Sequence, residues 1–258
     1  MAALGWILAG CAVGFGMGAL LARRWLSRPK ASAGDRVDFV RTFAHAVRNP
    51  LGGIQLLVEL GLEESPDEAS RRTLNRIQGQ VDTLTEVVAR FSEANALDGG
   101  RIVLTCQAAD LSDLVVEAGE GFQPQAIAKG QELSIQSPRP GPVVWGDPGG
   151  IQRILGHLLS NAIAFSPGGA RIRIEAGVDN GLGMVRVSDD GPGIPEAERE
   201  RIFERFAHCT NHPTGGEPSA GLGLSVARGL AEAMGGSLRL EPHAGTGSTF
   251  VLRLPRVV

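Results

Sequence analysis

Three glycine-bearing turns, each set against a strand end or a helix start, restrict this chain more than any other feature. They read VSDDGPGIP at residues 187–195, SAGLGLS at 219–225 and GTGSTF at 245–250. In the first, Gly191 and Gly193 follow Asp189 at the end of an alternating apolar run. Two glycines there let backbone approach a bound molecule closely, while the carboxylate can accept from an exocyclic amine. In the second, Gly221 and Gly223 stand immediately before an apolar-periodic helix, an arrangement that offers backbone N–H groups to phosphates. Each piece alone is also ordinary turn chemistry, because Asp-Gly and Pro-Gly pairs are common in surface turns. Their order along the chain is far more specific than any one of them.

The surrounding pattern predicts an α/β sandwich. Alternating runs at 102–104 (IVL), 133–135 (LSI), 170–176, 183–189, 236–241 and 248–254 read as strands, and helices are predicted near 111–122, 149–165 and 222–234. Such a mixture layers helices on one face of a mixed sheet. The helix near 149–165 starts with Asp147 as cap and Pro148 at the first position. Ile151, Ile154, Leu155, Leu158, Ala162 and Phe165 form its apolar stripe, and His157 and Asn161 lie one turn apart on the border of that stripe. An isolated amide at such a border reads as structural; beside the glycine turns it becomes a ligand candidate.

Upstream, Phe39, Phe43, Val47, Leu51, Ile54 and Val58 recur at helical spacing, and Leu74, Ile77, Val81, Leu84, Val88 and Phe91 repeat the pattern. Between them Ser65, Pro66 and Glu68 read as a capping box that starts the second helix. A two-helix hairpin cannot cover both stripes, so pairing into a four-helix bundle of two copies is expected, with packing against the downstream domain as the alternative. With rotation of about 100° per residue from Phe43, the apolar positions cluster near about 20° and His45 falls near about 200°. His45 is therefore predicted on the outward side, with Asn49 one turn on and Pro50 expected to kink the helix.

The first twenty-two residues carry no charged side chain, and Arg23, Arg24, Arg28 and Lys30 follow. As a helix this run is about 33 Å long, enough for a roughly 30 Å hydrocarbon core. The expectation is a single-pass anchor over 1–26 with the C-terminal bulk in the cytoplasm, followed by a linker over 27–35. Cys11, Cys106 and Cys209 are scattered, which suggests a reducing compartment and no ligand cluster. A formal charge of −3 without a concentrated basic patch argues against a nucleic-acid partner.

Together the motifs resemble those of a bacterial two-component sensor histidine kinase, over about residues 36–255. FAHAVRNPL at 43–51 is similar to the phosphoacceptor box, HLLSNAIAFSP at 157–167 to the asparagine box, and IFERF at 202–206 to the phenylalanine box; VSDDGPGIP, AGLGLS and GTGSTF resemble the glycine boxes. The resemblance implies a dimerising hairpin over 36–97 and a catalytic domain over 98–258 of the Bergerat fold, shared with gyrase and Hsp90 chaperones. It implies His45 as phosphoryl acceptor, Asn49 as a residue orienting water, and ATP with Mg²⁺ as cofactors. Asn161 would hold the metal, Asp189 the adenine amine, and Gly191 and Gly193 the base pocket. Gly221 and Gly223, with His157 and Thr249, would complete the nucleotide site under a lid over 196–220, and Arg205 would reach a phosphate or remain a surface charge. The implied partners are a second copy, a response-regulator receiver domain and a membrane signalling partner, at the bacterial inner membrane.

Several positions depart from the family pattern. Ala46 stands where an acidic residue normally follows the histidine, Ala164 where Lys or Arg is usual, His157 where the box begins with asparagine, and Ser219 where a glycine is usual. Loss of a general base typically costs ~10²–10⁴-fold in rate. An active kinase, a weakened homologue acting as a docking scaffold, and an ATPase with an incidental histidine all remain open at this stage.

Overall fold

The computed structural model describes residues 33–64, 67–98, 103–205, 207, 210, 211, 213, 214, 221–242 and 246–257. The chain divides into two compact units, Met1–Ile102 and Val103–Val258.

The first unit is a hairpin of α1 (Ala33–Glu64) and α2 (Glu68–Asp98). Ala44, Leu51 and Val58, seven residues apart and so on one face, are its buried positions on α1, and Val81 is buried on α2. The helices run antiparallel: Gln55 donates to Asp82 at 2.9 Å, and a Cβ at Gly61 would come within 3.2 Å of Leu74. α1 continues as a helix through Pro50, where the missing N–H leaves the Ala46 carbonyl without its helical donor. The start of α2 differs from expectation. Asp67 accepts from the Ser70 N–H at 2.8 Å and its carbonyl takes the Arg71 N–H, so the aspartate caps the helix; Ser65 and Pro66 lie outside the described residues. A carboxylate two residues closer to the first turn satisfies the same orphan donors.

The second unit contains β1 (Gln107–Asp110), α3 (Leu111–Ala128), β2 (Glu132–Gln136), β3 (Val143–Gly146), α4 (Pro148–Phe165), β4 (Arg171–Asp179), β5 (Leu182–Asp189), α5 (Gly223–Ala233), β6 (Ser237–Glu241) and β7 (Ser248–Leu254). Five strands form a mixed sheet in the order β2-β4-β5-β7-β6, in which only β2 and β4 are parallel. α3 packs on β2 and β4, α4 on β5, and α5 on β6, which makes one helical layer. Strand alternation sends Ile172 and Ile174 of β4, Val185 and Val187 of β5, and Leu252 and Leu254 of β7 toward that layer, all at 0–1% exposure. Each such side chain contributes about 1.5–3 kcal/mol by leaving water.

The opposite sheet face is closed by charge. Arg186 pairs with Glu175 and reaches Glu241 at 3.8 Å, while Arg253 pairs with Glu241 and with Asp179 at 2.7 Å. The hydrogen bond to Glu241, and then that to Asp179, hold the Arg253 guanidinium even more firmly protonated than usual, against the opposing effect of partial burial. Beneath these side chains Val251 is fully buried.

Two expectations require correction. The predicted strand at 102–104 does not form: Val103 and Leu104 belong to no strand and Val103 is 88% exposed. The pairing goes instead to Gln107–Asp110 and Val143–Gly146, a separate antiparallel ribbon. The expected membrane-spanning helix is also not part of this fold. Among the described residues no helix is long and apolar enough to cross a membrane, and residues 1–32 lie outside them. The fold class is accordingly a helical hairpin plus an α/β sandwich, and the single-pass inner-membrane placement inferred from that helix is withdrawn with it.

Candidate functional site

α4 and the end of β5 bring most of the predicted site residues to one place in the second unit. Asp147 occupies the N-cap position and Pro148 the first turn, but the Asp147 carboxylate makes no cap bond; it lies 3.8 Å from Arg153 instead. Ile151, Ile154, Leu155 and Leu159 anchor the helix at 0% exposure, and His157 and Asn161 lie half-buried one turn apart. α4 ends at Ser166, and its last carbonyls are heavily satisfied. Lys129 donates to Ile163 and Ala164 at 2.8 and 2.9 Å, and Gln131 to Ile163 and Ser166 at 3.0 and 2.7 Å. A lysine ammonium at a helix C-terminus also complements the macrodipole.

Asp189 closes β5 and is 6% exposed. Its Oδ1 accepts the Gly191 N–H at 2.9 Å, which fixes the carboxylate against the following turn. A Cβ on Gly191 would stand 2.6 Å from that oxygen, so no other residue fits without displacing it. Gly193 has φ +75°, and a Cβ there would stand 3.1 Å from the Gly247 carbonyl. Two of the glycine turns thus touch backbone to backbone beside a buried carboxylate, an approach that side chains at these positions would block.

The third turn leads into α5. Gly221 has φ +63°, and α5 begins at Gly223 with Leu222 as cap and, among the described residues, no side-chain cap bond. The first N–H groups of a helix are the donors that anions take up. Ser219 lies outside the described residues. Two short 3-10 turns, Glu196–Glu198 and Arg201–Phe203, follow the Asp189 loop. Phe203 meets Phe250 edge-on at 6.2 Å and Arg228 of α5 stacks on it at 5.2 Å, so the turn is pinned to both α5 and β7. Arg205 follows, half-buried. Beyond it, Asn211 donates to the Gly193 carbonyl at 2.6 Å, and Thr214 donates through N–H to Ala164 at 2.9 Å.

Thr249 is not on the same side as Asp189. In the β5–β7 register Thr249 lies opposite Ser188, with their hydroxyls 3.1 Å apart, while Ser248 lies opposite Asp189. Ser248, 8% exposed, is the β7 hydroxyl that shares a side with Asp189, and none of the motifs singles it out. A signal was present: in STFVLRL, Ser248 shares parity with Phe250, Leu252 and Leu254, the core-facing set. In the first unit, α1 carries His45 and Asn49 one turn apart.

Residues 35–100 match the family described as His Kinase A (phospho-acceptor) domain, and residues 146–258 match the Histidine kinase-, DNA gyrase B-, and HSP90-like ATPase family. The chain belongs to the sensor histidine kinase family. Among relatives, Sensor-like histidine kinase SenX3 of Mycolicibacterium smegmatis is 32% identical over 222 residues, covering 85% of this chain and 57% of that protein. Sensor histidine kinase AruS of Pseudomonas aeruginosa is 33% identical over 249 residues, 87% of this chain and 23% of that protein. The chain thus spans little more than half the length of the mycobacterial histidine kinase and a smaller share of the other. Full-length ShkA in complex with AMPPNP is a structural neighbour with TM-score 0.73 and 27% identity, over 86% of this chain and 46% of that one. The mycobacterial sensor histidine kinase MprB aligns with TM-score 0.51 and 28% identity, over 58% of this chain and 98% of that one.

Proposed function

We propose that this histidine kinase family member transfers the γ-phosphoryl group of ATP to His45 and passes it on to an aspartate of a response-regulator receiver domain. In this reading residues 36–97 are the acceptor hairpin and 98–258 the nucleotide domain, with a lid over 196–220. The observation that carries it is the Asp189 cradle: a buried carboxylate, fixed by the Gly191 N–H, beside two glycine turns too closely packed for side chains. A carboxylate has capacity for more than one donor, so an adenine amine fits there.

The phosphate side is read from α4 and α5. The Asn161 amide oxygen is a hard donor suited to Mg²⁺, which usually keeps waters and phosphate oxygens as its other ligands. When bound, the ion would neutralise charge building on the phosphates. His157 borders the same turn of α4, and the uncapped N–H groups after Gly221 and Gly223 receive phosphate oxygens. Thr249 holds Ser188 in register, while Arg205 would reach a phosphate from the lid. An imidazole nitrogen of His45 then attacks the γ-phosphorus: the N–P bond forms, the bridging O–P bond breaks, and ADP leaves. Asn49, one turn on, would orient water for later hydrolysis at the receiver. A second copy supplies the hairpin's missing cover, since Leu56, Ile77 and Leu84 are 46%, 40% and 51% exposed.

Ala46, which offers no carboxylate to take the imidazole proton, favours a second reading as a weakened homologue that docks a regulator. Incubating the full chain with γ-labelled ATP separates the two. Acid-labile, base-stable label that disappears in His45→Gln is the expected result. Nucleotide binding without label, in the presence of receiver domains, would rule out the kinase, and phosphate release unaffected by His45→Gln would then point to an ATPase with an incidental histidine rather than a docking role.

A further inference from the structure

Ser166 ends α4 and is fully buried, yet its hydroxyl has no hydrogen-bond partner. Its backbone, in contrast, is held on every side. The N–H bonds to Ala162 at 3.2 Å, and the carbonyl accepts from Gln131 at 2.7 Å and from the lid residue Thr214 at 2.9 Å. The hydroxyl can therefore turn but not move away. Buried hydroxyls are normally paired, and an unpaired one calls for a use.

The position of that hydroxyl indicates the use. The point where a Cβ on Gly191 would stand is 3.4 Å from Ser166 Oγ, 3.4 Å from the Phe165 carbonyl and 2.6 Å from Asp189 Oδ1. Three oxygens thus border the space that Gly191 keeps clear, next to the carboxylate assigned to the base. The carbonyl and the carboxylate only accept, whereas the serine can donate. A water molecule suits this set, because it accepts from Ser166 and donates to the two acceptors, the usual bonding of a buried water.

We propose that Ser166 is a positioning residue for purine recognition, which through one bound water orients the Asp189 carboxylate toward the exocyclic amine of the base. This rests on the nucleotide reading above.

The test compares affinities of the full chain for Mg-ATP and for the triphosphate of purine riboside, which lacks the amine. Ser166→Ala should weaken ATP binding by about tenfold and leave the analogue within about twofold. Removing an unpaired buried hydroxyl should leave the melting temperature of the nucleotide-free protein unchanged or raised. Ser166→Thr, which keeps the hydroxyl, should restore the preference for ATP. Equal losses for both nucleotides, or a lowered melting temperature that accounts for the loss, would show a merely structural serine and overturn the inference. If the unsubstituted chain itself does not prefer ATP to the analogue, the role of Asp189 falls as well. If it does and Ser166→Ala keeps that preference, only the role of Ser166 falls.

Discussion

In the sandwich, Ile151, Ile154, Leu155 and Leu159 of α4 are all 0% exposed; in the hairpin, Leu84 of α2 is 51% exposed and Leu56 of α1 is 46% exposed. Both units are built on helices with a clear apolar stripe, yet only one hides it. The sandwich has a sheet to receive its helices, and a face-covering layer finishes its core. Within the hairpin, the contact of one helix with the other covers a strip too narrow for a stripe of this width. The sandwich thus completes its own core, whereas the hairpin leaves part of its stripe uncovered by its own two helices.

Mutations in the two stripes should act differently. Leu155→Ala, in the finished core, should cost about 2–5 kcal/mol through lost transfer energy and a cavity. Hydrogen exchange along α4 would register this, and protection unchanged to within a fraction of that value would mean that the sandwich core is not what holds its unit. Leu84→Ala should change the intrinsic stability of the hairpin by no more than about 0.5 kcal/mol, the usual range for surface positions. Its effect belongs to association, seen as a shift toward monomer on dilution in sedimentation velocity. A hairpin that stays paired at the same concentration would remove Leu84 from the interface.

The smallest effect concerns the hairpin turn. The hydrogen bonds from Ser70 hold the Asp67 carboxyl below its ordinary value near 3.8. A depressed folded-state value means that the cap stabilises α2 fully above that ordinary value, and that the contribution fades as pH falls through the lower folded one. The protection of the Ser70 amide, relative to its intrinsic exchange rate at each pH, should therefore fall on acidification below about 3.8, and Asp67→Ala should remove that dependence. No pH dependence in the unsubstituted protein would indicate that the helix start is held otherwise.

The contrast between the units also governs what could be read from sequence. STFVLRL was legible as Ser248–Leu254 to the residue, because strict alternation beside a packed layer is a strong pattern. Gln107–Asp110 was not, since QAAD has no β-branched or aromatic residue and becomes a strand only through its partner Val143–Gly146. That partner was itself obscured by the preceding SPRPGP run. Within the site, Asp189 and the glycines could be found because their chemistry is local. Ser248 required the parity of a strand, and Ser166 required the neighbourhood of a turn twenty-five residues downstream, which no local spacing encodes. The start of α2 shows a finer limit: Asp67 caps the helix, and among neighbouring residues of good capping type the sequence alone does not say which one will.

The sheet order has a consequence for how the protein is made. β7 sits between β5 and β6, bonded along both edges, yet it is the last of these strands to leave the ribosome. Until it emerges, β2, β4 and β5 can pair with one another, but β5 keeps an open edge and β6 has no partner in the sheet. A premature stop before residue 248 would therefore leave β6 unpaired and turn β5 into an exposed edge strand.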